Sequence, residues 1–195
     1  MLSLSLSTQY MLLAVREMVS TDIAAIVKYW HECDMDFLLR MGVDLQKLPS
    51  KEQLTMMLLE HLNTRIEKRK SYCMIWEIDG ESIGHCNTNP TIFGEEAYMH
   101  LHIWNAEVRK KGLGTTFVKM TLPYFFRNLK LKKLLCQPYA LNPAPNKTLE
   151  KVGFEFVQKY VTVPGFLNFE QPVKQWQLTA EQFKELEAVA NRASF

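Results

Sequence analysis

Two apolar runs, Tyr72–Ile78 (YCMIWEI) and Glu81–Asn87 (ESIGHCN), are separated only by Asp79 and Gly80. A two-residue Asp-Gly loop between strand-like segments makes a tight hairpin, so these strands pair antiparallel. No other feature limits the architecture as much. A doubly wound dinucleotide fold needs strand and helix to alternate throughout; here one strand follows another directly.

The elements around the hairpin follow from spacing and capping. Tyr10–Met18 reads as a first strand. Ser20-Thr21-Asp22 is an N-cap cluster ahead of the helically spaced IAAIVKYW. Pro49-Ser50 opens a second long helix, with Ser50 and Gln53 as a capping box. That helix runs into a basic stretch, Arg65–Lys70, read as solvated. After the hairpin come a strand over Ala97–Trp104, a helix from about Gly112 to Asn128 and a strand over Leu134–Tyr139. A short helix, Pro145–Val152, is closed by Gly153. Strands over Phe154–Val163 and Val173–Leu178 follow, and Thr179 caps a C-terminal helix. This order implies an α/β (α+β) chain with a single mixed sheet and helices on both faces.

Bulk properties exclude more than they assert. The chain has 195 residues, enough for one domain over residues 1–195. A domain of that size buries roughly 70% of its unfolded surface and needs neither disulfide nor metal to hold together. The 23 basic and 21 acidic residues leave a net charge of +2, which points to neither nucleic acid nor membrane. Cys33, Cys73, Cys86 and Cys136 form no CxxC pair, and no histidine stands at zinc spacing from them. They read as reduced thiols of a cytoplasmic protein. The opening MLSLSLSTQYMLLAVREM has no basic start and no A-x-A site, so it reads as strand rather than leader. No run of 18 apolar residues is present.

The first chemical motif is Arg109-Lys110-Lys111-Gly112-Leu113-Gly114-Thr115, between a strand and a helix. Two glycines let a backbone approach a ligand closely. The free N–H groups and the dipole of a helix's first turn favour an anion. The basic side chains add charge, and the whole suits a pyrophosphate. It is not a Walker A loop, lacking Gly-Lys-Ser/Thr. A basic turn before a flexible helix start is the plainer alternative.

The second motif is Asn142–Phe154, NPAPNKTLEKVGF. Together these segments resemble the GCN5-related N-acetyltransferase (GNAT) family. Arg109, Gly112 and Gly114 fill its R/Q-x-x-G-x-G/A loop. Asn142, Asn146, Leu149, Glu150, Lys151, Gly153 and Phe154 match the later segment of the branch that includes ribosomal-protein alanine N-acetyltransferases. The likeness runs from Tyr10 to about Phe183. It implies a GNAT fold: a mostly antiparallel sheet of about seven strands, splayed between the fourth and fifth. The pantetheine arm of acetyl-CoA would lie in that splay, against the backbone near Trp104 and Ala106. Lys110, Lys111, Gly112, Leu113, Gly114 and Thr115 would cradle the pyrophosphate with Arg109, Asn142 would bond the arm or order the loop, and Asn146 would belong to the cofactor site. Two positions depart from the family: Pro145 stands where serine is usual, and Leu149 where a tyrosine acid often stands. Proline suits a first helical turn, so the helix survives.

The implied chemistry tolerates the missing acid. The leaving thiolate belongs to a thiol of pKa about 8.5, so releasing it at neutral pH costs only about 2 kcal/mol. Stabilising the oxyanion matters more, one lost donor being worth about 3–4 kcal/mol; the backbone amides around Ile103 and Trp104 are candidates. An amine of pKa near 10 must also lose a proton. Tyr98, His100, His102 and Trp104 share one face of the fourth strand. His100 is the first candidate base and His102 the second. Both also fit as packed strand residues, with water as the proton relay. Phe166, Phe169 and Trp176 fit an acceptor pocket or the core, and Thr162–Gln171 and Cys33–Lys51 are expected to supply acceptor contacts. The implied activity is direct acetyl transfer to a primary amine, on a small molecule or a protein N-terminus. A non-catalytic acyl-CoA-binding sensor or partner module is the alternative. No metal, nucleic acid or membrane is implied, and a homodimer is compatible with the resemblance.

Overall fold

The computed structural model describes residues 11–105, 107–109 and 112–192. In chain order the elements are β1 (Leu13–Glu17), α1 (Ile23–Glu32), α2 (Met35–Arg40), α3 (Lys51–Asn63), β2 (Tyr72–Ile78), β3 (Glu81–Ile92), β4 (Glu96–Ile103), α4 (Leu113–Asn128), β5 (Lys133–Cys136), α5 (Pro143–Val152), β6 (Glu155–Thr162), β7 (Gln171–Thr179) and α6 (Ala180–Arg192). Asp79 and Gly80 both take positive φ, 52° and 82°, the backbone a two-residue loop needs to follow the twist of its strands. β2 and β3 therefore pair antiparallel as the sequence implies.

The sheet runs β1-β2-β3-β4-β5-β7-β6, and only β4 and β5 are parallel neighbours. That pair touches over Glu96–Tyr98 and Lys133–Leu135, then parts. β5 is shorter than expected, ending at Cys136 rather than Tyr139. Pro138 has no N–H to continue a ladder, and Tyr139 is left with an isolated bridge to Val173. β4 continues alone to Ile103, so a gap opens between the two strands.

Helices cover both faces. On one, Trp76, Met99 and Leu134 of the sheet pack with Phe117 and Phe125 of α4 and Leu149 of α5. On the other, Ile26 and Trp30 of α1, Leu38 of α2 and Leu54 of α3 lie over Cys73 and Ile75. Each such buried side chain contributes roughly 1.5–3 kcal/mol. The alternation of β4 holds: Ala97 and Met99 are fully buried toward α4, while Tyr98, His100 and His102 turn the other way. Among the described residues no helix is long and apolar enough to cross a membrane.

Several local expectations change. The first strand starts at Leu13, and Tyr10 lies outside the described residues. Asp22 does not cap α1. Its carboxylate accepts the Val19 N–H (2.8 Å) and takes both ends of the Arg16 guanidinium (2.7 and 2.8 Å), which also reaches Glu77 (2.8 Å). The capping boxes at Ser50–Gln53 and Thr179–Gln182 are present. The basic run is not wholly solvated: Arg69 donates to the carbonyls of Thr64 and Leu62, closing the end of α3. α2 was not anticipated; Asp34 caps it by accepting the Phe37 N–H at 2.7 Å. α5 begins at Pro143, two residues early, because Asn142 Oδ1 accepts the Ala144 N–H (3.3 Å) and so serves as its N-cap. Cys73, Cys86 and Cys136 are buried free thiols and Cys33 is half-buried; burial pushes the Cys136 thiol up to about 12.

Candidate active site

The gap between β4 and β5 has two mouths. At one, the chain leaves β4 and turns into α4 through Gly112, whose φ of 73° is one that residues with a Cβ rarely adopt. Gly112 has no side chain to cap the first turn of α4, so the N–H groups there are open to an anion. Gly114 lies one turn position on. A Cβ at Gly114 would stand 3.7 Å from Thr148 Oγ1 and 4.0 Å from Ile103 Cδ1, ordinary contact distances. Leu113 and Thr115 belong to the same first turn. Ala106, Lys110 and Lys111 lie outside the described residues.

Three expected contacts with the cofactor are engaged elsewhere. Arg109 turns back from the loop: Nε donates to the Ile103 carbonyl (2.8 Å) and Nη2 to the Trp104 carbonyl (2.9 Å). Its guanidinium stacks 3.5 Å from the centre of the Phe37 ring, so it clamps the end of β4 to α2 instead of facing outward. Asn146 is buried, with its amide donating to Tyr139 and Asn142 carbonyls and its Oδ1 accepting from Trp176 Nε1 (2.9 Å). It holds α5 against β7, with both ends of its amide engaged within the protein. The same bond places Trp176 in the core. Trp104 N–H is bonded to the Ile83 carbonyl (2.8 Å), which removes it as an oxyanion donor.

That bond also fixes which amides remain. Ladder partners alternate along a strand, so His100, His102 and Trp104 direct their backbone groups to β3, and Leu101 and Ile103 direct theirs to the gap. The Ile103 and Leu101 N–H groups thus face the place where β5 has left.

Behind the other mouth lies a cavity of about 440 Å³ between the sheet and α1–α3. It reaches from Gln137, Tyr139 and Asn142 at the gap, past His85, His100 and His102, to Arg69 and Glu17. Its lining includes Val43 and the loop Pro164–Asn168, within the two segments expected to meet the acceptor, and Phe166 among them. Much of its apolar wall comes from α1 and α3, which sequence reasoning did not assign to a pocket.

The three histidines sit on adjacent strands. His85 faces His102 across the β3–β4 ladder, and Asn87 faces His100. The rings of His85 and His102 stack at 4.6 Å. Trp104 Nε1 donates to His85 Nδ1 at 2.7 Å; the Tyr29 hydroxyl lies 3.3 Å from His102 Nδ1. His100 Nε2 is 2.8 Å from the carbonyl of Asn89, where the β3–β4 register slips between Thr88 and Thr91. A carbonyl only accepts, so Nε2 carries the proton and Nδ1 is a lone pair. Nδ1 has no protein partner among the described residues, and His100 lines the cavity.

Burial lowers all three imidazoles. His85 is held down to about 3, by burial first and His100 second. His102 is well below the usual histidine value, through burial, the neighbouring histidines and Arg109. His100 is lowered by burial, partly offset by its bond to Asn89. At neutral pH the site therefore presents neutral rings. His85 and Asn89 were missed as site residues. Their signal was available: His85, Asn87 and Asn89 are polar at every second position of β3, on the same face as His100 and His102.

The site thus combines a sheet opened between parallel neighbours, a helix start with no side-chain cap at one mouth and a histidine-lined cavity at the other. The chain belongs to the GNAT family of acetyltransferases: the acetyltransferase (GNAT) domain model matches residues 13–155. No curated protein matches it in sequence. Among solved structures it is similar to spermidine N-acetyltransferase from Vibrio cholerae in complex with CoA and spermine, at 19% identity and TM-score 0.72, over 88% of this chain and 98% of that one. It is also similar to the aminoglycoside acetyltransferase AAC(6')-Ib in complex with coenzyme A, at 17% identity and TM-score 0.69, over 89% and 98% of the two chains.

Proposed function

We propose that residues 1–195 act as one domain that moves the acetyl group of acetyl-CoA directly to the primary amine of a small molecule. The neighbours' complexes with CoA support the choice of cofactor. The pyrophosphate would rest on the first turn of α4 at Gly112–Thr115, and the pantetheine would pass through the gap beside Leu101 and Ile103. The amine would come from the cavity side. Its nitrogen attacks the thioester carbonyl, forming the C–N bond. The oxygen takes up negative charge facing the Leu101 or Ile103 N–H. The amine proton moves to His100 Nδ1, the C–S bond breaks, and the thiolate leaves to be protonated by the imidazolium or by water.

One observation carries the reading: the Asn89 carbonyl fixes the proton of His100 on Nε2 and leaves its Nδ1 lone pair in the cavity beside the gap. A base must be within hydrogen-bond reach of the proton it takes, and an amine bound in the cavity against His100 would meet that requirement. His102, engaged with Tyr29 and packed against His85, serves as scaffold. The test is mass-spectrometric detection of acetylated amine together with release of CoA thiol from acetyl-CoA. Thiol release that is amine-dependent and accompanied by product supports the assignment. Acetyl-CoA binding with no transfer to any amine would make the protein a sensor module instead.

A further inference from the structure

We infer that the acceptor is a largely apolar amine, an aryl- or alkyl-substituted one with a single charged nitrogen, and not a polycation. This rests on the transferase reading above and names its substrate class. Met18, Ile26, Trp30, Leu54, Met57 and Leu58 form the apolar part of the cavity wall. Among the described residues its only carboxylate is Glu17, and Arg69 brings an opposing positive charge to the same wall; its other polar residues, Asn87 and Ser71 among them, are uncharged. The histidines contribute no charge, since each is held neutral by burial.

A polyamine entering such a space would leave water with several charges and find one carboxylate. The effective penalty for an unpaired buried ion is several kcal/mol, so polycations are rejected. The spermidine and aminoglycoside acetyltransferases that the chain resembles therefore do not predict its acceptor.

The polar end of the cavity fits one amine. Asn168 Nδ2 and Gln171 Nε2 both donate to the carbonyl of Gly42, at 2.8 and 3.1 Å. This leaves Gln171 Oε1 buried with no hydrogen-bond partner among the described residues. That oxygen packs against Gly42, 1.9 Å from where a Cβ there would stand, so it fixes the loop beside the cavity. Asn168 Oδ1 and His100 Cε1 lie 2.9 and 3.7 Å from the point where a Cβ on Gly165 would stand, so Asn168 borders the candidate base. Polar groups stand at both ends, Asn168 and His100 at one and Glu17, Arg69 and Ser71 at the other, with methionine, leucine and tryptophan between them; Glu17 and Arg69 offset each other, which describes an amphipathic ligand with one charged nitrogen. A volume of about 440 Å³ lies within the usual range for small-molecule sites, roughly 300–1,000 Å³.

The experiment compares kcat/KM for phenethylamine, tryptamine and hexylamine with that for spermidine and kanamycin, at saturating acetyl-CoA, alongside calorimetry of acetyl-CoA itself. The best apolar amine is expected to exceed both polycations at least tenfold. Leu58→Glu, which adds a carboxylate to the wall, should narrow that ratio at least tenfold while acetyl-CoA still binds; Met57→Glu replaces it if the first variant does not fold. A polycation preferred by the wild type, or a ratio unmoved by the added carboxylate, overturns the inference and leaves the transferase reading intact. Acetyl-CoA binding without transfer to any amine in the set overturns the inference too, with the cofactor site standing. Failure to bind acetyl-CoA overturns both.

Discussion

The two mouths of the β4–β5 gap are built in different ways. The mouth proposed for the cofactor is local. Gly112, Leu113, Gly114 and Thr115 are consecutive, and the pyrophosphate reading rests on one strand-to-helix turn and the open amides of its first turn. The mouth proposed for the acceptor is assembled from afar. His85, His100, Gly42 and Gln171 come from two strands of the sheet, the segment after α2 and the start of β7, and only packing brings them together. The first kind of site announces itself in a short stretch of sequence. The second shows only a parity of polar residues, and its chemistry depends on which atoms the neighbours have already engaged.

If the two mouths are separate, damage to each should appear in a different quantity. The largest effect is expected at the acceptor side. His100→Ala should lower kcat by about 10²–10⁴-fold, the usual range for a general base, with acetyl-CoA affinity unchanged by calorimetry. His102→Ala should leave most of the rate, its ring being structural; if it instead loses the rate and His100→Ala keeps it, the base is one residue pair closer to the glycine loop.

Next in size is the response to cofactor. Acetyl-CoA at 100 times its dissociation constant should stabilise the fold by about 2.7 kcal/mol. In a chain of this length that is a rise in Tm of about 5–10 °C. Thermal shift should show it with acetyl-CoA and not with NAD; the reverse pattern would remove the pyrophosphate site. Gly114→Asp should weaken acetyl-CoA at least tenfold, about 1.4 kcal/mol. The variant should fold, because its Cβ has room and an acidic residue suits a helix N-terminus. Unchanged affinity in the folded variant would break the assignment of that mouth.

The smallest effect is that of one histidine ring on stability against pH. The folded chain keeps His85, His100 and His102 neutral below their ordinary values, whereas the unfolded chain protonates its histidines near pH 6.5. The unfolded state then binds more protons as pH falls, so stability declines from about pH 6.5 downward. For His85 the decline continues to about pH 3. Asp22, also lowered, adds its own loss only near and below its ordinary value of 3.8. Tm should therefore drop between pH 7.5 and 5.5, and drop less in His102→Asn. Equal slopes in the two proteins would show that the buried ring of His102 is not the cause.

The sequence made the sheet and most helices legible because their signals are local: the Asp79-Gly80 loop, the Ser50–Gln53 box, the Thr179 cap and the glycine that ends α5. It also gave the parity that puts His100 and His102 on one face. Arg109 and Asn146 were misread for one physical reason. A residue type suited to a ligand is equally suited to a backbone carbonyl, and the nearest carbonyls took both side chains. Trp104 lost its amide to Ile83 in the same way. Gln171 was legible only as part of a loop, since its unsatisfied oxygen depends on Gly42, 129 positions away in the chain.

The separation of the two mouths is tested most directly by single-turnover acetyl transfer at saturating acetyl-CoA in His100→Ala and Gly114→Asp side by side. Once its weaker site is filled, Gly114→Asp should transfer at close to the wild-type rate, while His100→Ala, fully loaded, should remain slower by about 10²-fold or more. A saturated Gly114→Asp as slow as His100→Ala, or a loaded His100→Ala at the wild-type rate, would contradict the account.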